Sequence, residues 1–101
     1  MEAAAMRFEL SLPATRSLKE KRSVLRPVVE GLRQTASYSV AEVDHHDLWR
    51  RAGLGVALVA PNRRELERLM QRAEHYLDRR GDVNVTEVLI SYLDHPEPGT
   101  R

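Results

Sequence analysis

Apolar and polar side chains alternate along Met6-Arg7-Phe8-Glu9-Leu10-Ser11-Leu12, the period-two pattern of a strand with one buried face. Pro13 and Ala14 end it. Ser17-Leu18-Lys19-Glu20 has the form of a capping box, in which a serine oxygen and a glutamate three residues on satisfy free amides at a helix start. Leu18, Val24, Leu25, Val28, Val29 and Leu32 then recur close to helical spacing and predict a helix to about Gln34. Pro27 lies inside it and lacks an amide proton, which predicts a kink or a division near Ser23. Gly31 is a second weak point.

Tyr38 to His45 reads as a second strand, with Tyr38 and Val40 on one face and Ala41 and Val43 on the other. His46 to Arg51, polar apart from Leu48 and Trp49, reads as a hairpin connection. A third strand follows, Leu54 to Ala60, with Leu54, Val56 and Leu58 facing one way and Gly53, Gly55 and Ala57 the other. Pro61 stops it, and Asn62 with Glu65 repeats the capping logic. Leu66, Leu69, Met70, Ala73 and Leu77 form the stripe of a second helix, closed by Gly81 after Arg79 and Arg80. Val83 to Leu93 is a fourth strand. The expected organisation is one domain over residues 1–95 and a disordered tail over residues 96–101, begun by Pro96-Glu97-Pro98-Gly99.

Strand, helix, strand, strand, helix, strand closes most simply, with right-handed crossovers, as two interlocked split units. That is the ferredoxin-like βαββαβ α+β sandwich, a four-stranded antiparallel sheet with two helices on one face. The other face is unusually apolar for one in water, with Gly55, Ala57 and Val59 on the third strand and Val88, Ile90 and Tyr92, or their alternates, on the fourth. It is therefore expected to pack on a partner, most simply a second copy in a homodimer.

Length and composition narrow the function classes. The chain has 101 residues, 16 basic and 15 acidic side chains, a formal charge of +1 and no cysteine. Disulfides, thiolate metal sites and a cysteine nucleophile are excluded. No apolar stretch approaches a membrane span, and Met1-Glu2-Ala3-Ala4-Ala5 lacks the basic start of a secretory signal, so a cytoplasmic location is expected. The small net charge hides a separation. Residues 16 to 26 hold five basic groups and one acid, and residues 82 to 97 hold four acids and no lysine or arginine.

Arg16, Lys19, Lys21, Arg22 and Arg26 crowd the start of the first helix, where cations oppose the helix dipole and phosphate would be favoured. Arg50 and Arg51 add a second basic group at the hairpin, and Arg63 and Arg64 another at the start of the second helix. Phe8 and Trp49 do not supply the aromatic pair that stacks bases in RNA-recognition modules of this fold. RNA would accordingly be held through its backbone, and no reading of DNA sequence is expected. Glu42 to Asp47 is the one run that resembles a metal or acid-base site, with Asp44, His45 and Asp47 as its candidate residues. Strand alternation sends Asp44 and His46 one way and His45 the other, so no metal or other cofactor is expected there. No strained serine elbow and no phosphate-cradling glycine loop is present.

Two segments, Ser17-Leu18-Lys19-Glu20-Lys21-Arg22-Ser23-Val24-Leu25 and Val40-Ala41-Glu42-Val43-Asp44-His45-His46-Asp47-Leu48-Trp49-Arg50-Arg51-Ala52, resemble the signature stretches of the YlxP-like family of small bacterial proteins. The resemblance spans about residues 6 to 93 and implies the same fold. It carries over no activity, but implies a role near RNA or the ribosome, because genes of this family often lie beside those for translation initiation and ribosome maturation. Three readings follow. The first is a non-enzymatic module binding structured RNA or a ribosomal particle. The second is a homodimer built on the open sheet face, and the third a metal-dependent enzyme at Asp44, His45 and Asp47.

Overall fold

The computed structural model describes residues 1–94 and 96–100. The chain forms β1 (Glu2–Ser11), α1 (Leu18–Thr35), β2 (Ser39–Asp44), β3 (Arg51–Ala60), α2 (Arg63–Asp78) and β4 (Asn84–Tyr92). The four strands pair antiparallel in the order β2-β3-β1-β4, the ferredoxin-like arrangement that the element order predicts. β1 begins earlier than its alternation suggests. Ala3, Ala4 and Ala5 do alternate in burial, but three identical side chains cannot show it in sequence. Residues 96–100 carry no helix or strand; His95, in the expected domain, and Arg101, in the expected tail, lie outside the described residues.

Met6, Phe8 and Leu10 of β1 and Leu54, Val56 and Leu58 of β3 point to one side of the sheet. There they meet Leu25, Val28 and Leu32 of α1 and Leu66, Met70, Ala73 and Leu77 of α2 in a single core. Each of these large side chains, fully buried, contributes about 1.5–3 kcal/mol. Both helices start on the caps read from the sequence: Ser17 Oγ accepts from the Glu20 amide at 3.1 Å, and Asn62 Oδ1 from the Glu65 amide at 2.9 Å. The return arm of the first box goes to the Arg16 amide, which donates to Glu20 Oε2 at 2.8 Å.

Of the expected kink or division at Pro27, the division does not occur: α1 is continuous from Leu18 to Thr35. Pro27 is exposed, so the Ser23 carbonyl that loses its partner has solvent in reach. Tyr76 of α2 also braces this stretch, donating its hydroxyl to the Val28 carbonyl at 3.1 Å. Gly31 makes that brace fit, since a Cβ there would collide with Tyr76 Oη. The glycine is an interhelix contact, and its cost in helix propensity is offset by the close approach it allows. Neither described helix is long and apolar enough to cross a membrane.

Candidate functional site

The first turns of α1 sort their cations by helical phase. Lys21 is in register with Leu25, Val28 and Leu32 on the inward stripe, and only 2% of its surface is exposed. Its ammonium lies 2.8 Å from Glu42 Oε2 as an ion contact and donates to the His45 carbonyl at 2.6 Å. This removes Lys21 from the set of expected phosphate ligands: a buried cation holding β2 and the hairpin is not free to meet an anion. Arg16, Lys19, Arg22 and Arg26 are exposed, and none has a carboxylate partner through its side chain among the described residues. Lys19, Arg22 and Arg26 line one groove of about 430 Å³ with Ser23 and Pro27.

The hairpin between β2 and β3 is tied to this same end. The Leu12 amide donates to the Arg50 carbonyl at 2.8 Å, and Arg50 Nε donates to the Thr15 carbonyl at 3.2 Å. Buried Thr15 places its hydroxyl against the carbonyls of Leu12 and Trp49. Arg50 and half-exposed Trp49 (51%) therefore stand beside the chain that enters α1. Arg51 turns to the sheet, 3.5 Å from Glu9. Arg63 sits at the opposite end of β3, paired with Glu2 and Glu67 and stacked over the Tyr92 ring at 3.8 Å. Of the two hairpin arginines only Arg50 thus joins the basic groups of the first helix; Arg51, expected as a phosphate contact, is turned to Glu9, and the basic groups of the second helix start lie elsewhere.

The run from Glu42 to Asp47 does not keep strict alternation. A register shift between Glu42 and Asp44 pairs Glu42 with Leu54 and Asp44 with Gly53, adjacent residues on opposite faces of β3. Glu42 accordingly faces the helices and Lys21, while Asp44 is turned to the open face. Gly53 and Gly55 make room for this: a Cβ at Gly55 would lie 2.9 Å from Val43 Cγ1, and one at Gly53 would lie 3.0 Å from Asp44 Cβ. His45 follows with φ of 62°, in the left-handed region, which returns its ring to the sheet. The expectation that Asp44 and His45 point apart is corrected by the bulge and this turn.

Their partners come from β1. Arg7 donates to Glu9 Oε1 (2.9 and 2.6 Å) and to Asp44 Oδ2 (2.7 Å), and His45 Nε2 lies 2.9 Å from Glu9 Oε2. The bonds from Arg7 hold the Glu9 carboxyl below its ordinary range, against the opposing effect of burial. Asp44 is lowered by the amide of His45 and then by Arg7. A guanidinium thus stands between the two carboxylates, where a metal ion would have to sit. Asp47 is exposed, and His46 Nε2 lies 3.1 Å from the Glu42 carbonyl. No group of three His, Cys, Asp or Glu is arranged to hold a metal among the described residues. Sequence reasoning missed Arg7 and Glu9. Their signal was two charges at alternate positions on the face of a strand flanked by small apolar residues.

The rest of the open face is apolar and shallow. Ala3, Ala5, Ala57, Val59, Ser91 and Leu93 are among the residues lining a groove of about 500 Å³. Gly55 lies on the same face, paired with Arg7 and Ala41. Val88 and Ile90 do not: they pair with Phe8 and Met6 on the helix side, and Leu89, opposite Arg7, takes the open-face position. The ladder is regular there, so period two assigns the faces without ambiguity. Phe8 is wholly buried against the helices, so the open face offers no ring from β1 for base stacking.

A family model described as "Protein of unknown function (DUF503)" matches residues 3–90. The chain is 31% identical over 70 residues to "Uncharacterized protein YlxP" of Bacillus subtilis (strain 168), covering 69% of this chain and 76% of that protein. Among solved structures, the "De novo designed protein Foldit4" is similar with a TM-score of 0.52 at 10% identity, covering 95% of this chain and all of that one. That likeness concerns the fold alone.

Proposed function

The chain belongs to the DUF503 family of YlxP-like proteins, and on that premise we propose that it is a binding module for structured RNA, free or within a ribosomal particle. Arg16, Lys19, Arg22 and Arg26 contact phosphates from the start of α1, and Arg50 adds a contact from the hairpin. The supporting observation is selective pairing. Arg7, Arg33, Arg51, Arg63, Arg68 and Arg80 each meet a carboxylate within 4.0 Å, whereas the exposed side chains of Arg16, Lys19, Arg22 and Arg26 meet none among the described residues. Unpaired, exposed cations in a group keep their full attraction for a polyanion. Half-exposed Trp49 beside them can stack on an unpaired base, which adds to binding with little sequence preference.

Trp49 also supplies the measurement, because it is the sole tryptophan. Titrating its fluorescence with a structured RNA should give binding at low salt. With five phosphate contacts, affinity should fall by roughly two to three orders of magnitude between about 50 and 200 mM salt. Reversing two charges, Arg22→Glu with Arg26→Glu, should weaken binding at least tenfold. No binding at low salt, or an affinity indifferent to the double substitution, ends this reading.

The open sheet face supports a second reading, a homodimer. Exposed Val59 and a floor of Ala3, Ala5 and Ala57 form an apolar patch of the kind that marks protein contacts, extended to Val43 over Gly55 and bordered by Arg7, which separates Gly55 from Leu89. Light scattering at tens of micromolar should then report a dimer, and Ala57→Glu should convert it to a monomer. A clean monomer for the unaltered protein eliminates it.

A further inference from the structure

Most charges of the second helix sort by side. Arg64, Arg68, Arg72, His75 and Arg79 recur at intervals of three or four and share one flank, bordered by Glu65, while Glu67, Glu74 and Asp78 recur on the other beside Arg63. The basic flank borders a groove of about 510 Å³ reaching from Thr35, at the end of α1, along α2 to Arg80. Arg68, Arg72, His75, Arg79 and Arg80 line it, and no carboxylate does. Glu65 pairs with Arg68 and Asp82 with Arg80 beyond its lining, whereas Arg72 and Arg79 have no carboxylate partner among the described residues. The Tyr76 ring forms a fixed wall, held by its bond to the Val28 carbonyl and seated against Gly31.

Helix-dipole stabilisation accounts for Arg79 and Arg80 at the C-terminal end, but not for Arg68 and Arg72, which lie further back. From Arg68 to Arg79 the helix rises about 16 Å, far longer than one phosphate group. We infer that this groove is a second binding track for a phosphodiester backbone, so that RNA lies across the helix layer and leaves the open sheet face uncovered. This rests on the RNA reading above and adds a second, separate contact to it.

Two double variants separate the claims: Arg72→Glu with Arg79→Glu on α2, and Arg22→Glu with Arg26→Glu on α1. Each is titrated with labelled structured RNA across salt concentrations, after a thermal melt has shown that it is folded. The α2 variant should bind at least tenfold more weakly at low salt. Its dependence of log affinity on log salt should be shallower by roughly 1.4–1.8, because two phosphates are no longer neutralised. Unchanged affinity and slope in the α2 variant overturn the second track, and if the α1 variant is still impaired the first reading stands. Impairment of the α2 variant alone keeps this track and overturns the α1 contact; indifference in both overturns both. Arg72→Gln with Arg79→Gln replaces the reversal if that variant fails to fold, with the same direction expected. Tripolyphosphate is titrated in parallel. If it binds the unaltered protein as tightly as RNA does and the α2 variant loses it, the groove takes small polyphosphates, and the backbone track is overturned.

Discussion

Lys21 and Arg22 follow one another in the chain and occupy opposite electrostatic surroundings. Lys21 is sealed between α1 and β2 against Glu42 and the His45 carbonyl, and Arg22 stands in solvent beside Lys19 and Arg26. The same contrast holds on a larger scale between the Arg7–Glu9–Asp44–His45 cluster on the sheet and the outer stripe of α1. In the cluster each cation has an anion, and the charges hold two strands and a turn together. On the stripe the cations meet no carboxylate among the described residues, so repulsion among them is not offset by a neighbouring anion there. Basic residues alone are therefore weak grounds for a binding surface; the proposed function rests on the ones without partners.

The largest expected effect tests the buried side of this contrast. Lys21→Ala removes the cation facing Glu42 and one donor to the hairpin, leaving a carboxylate in partly buried surroundings. Breaking such a pair should cost on the order of 3 kcal/mol, since an uncompensated charge remains. Urea unfolding measures it directly. Replacing both partners, Lys21→Met with Glu42→Leu, should recover most of the stability, because an apolar pair of similar volume carries no desolvation penalty. If Lys21→Ala unfolds at the same urea concentration as the unaltered protein, Lys21 is no more structural than Arg22.

How far this contrast was legible in the sequence differs between its halves. Lys21 is spaced from Leu25, Val28 and Leu32 as an inward helical position, a signal present in the periodicity but set aside because its charge suggested the surface. The fold, the caps and the faces of β1 and β3 follow from the same kind of count. Asp44 was not legible, because a single extra residue at a bulge reverses the face of everything after it. The paired glycines Gly53 and Gly55 opposite the bulge were its only trace. Val88 and Ile90 were misplaced for a different reason: β4 is an edge strand with apolar side chains on both faces, so its pattern does not specify which face meets the helices.

Acid offers a second, more graded way to probe the paired cluster. Arg7 and the His45 amide hold the Glu9 and Asp44 carboxyls below their ordinary values in the folded chain. The unfolded chain then binds more protons in that range, so stability must rise with pH there. The contribution is complete at neutral pH and disappears as pH falls below about 4, through the lower values that the fold imposes. Melting temperatures measured from pH 6 down to pH 2.5 should decline along that course. Arg7→Gln should flatten the decline by removing the shared guanidinium, whereas Arg22→Gln should leave its shape unchanged. Equal curves for Arg7→Gln and the unaltered protein would separate the cluster from acid stability.

The smallest expected effect is the most diagnostic for the exposed stripe. Arg22→Ala and Arg26→Ala remove side chains that touch no carboxylate among the described residues, so each should change folding stability by no more than about 0.5 kcal/mol. A slight gain is the favoured sign for Arg22, because a cation near a helix N-terminus opposes the dipole and its neighbours repel it. The same substitutions should lower RNA affinity and reduce its salt dependence by roughly 0.7–0.9 for each phosphate that the variant no longer neutralises. Stability and binding thus move independently on the stripe, whereas at Lys21 weaker binding should follow only from a weakened fold. A destabilisation above about 1 kcal/mol from Arg22→Ala would mean that this arginine, too, has a structural partner. The charge at the start of α1 would then be explained by the fold, with no remainder for a ligand.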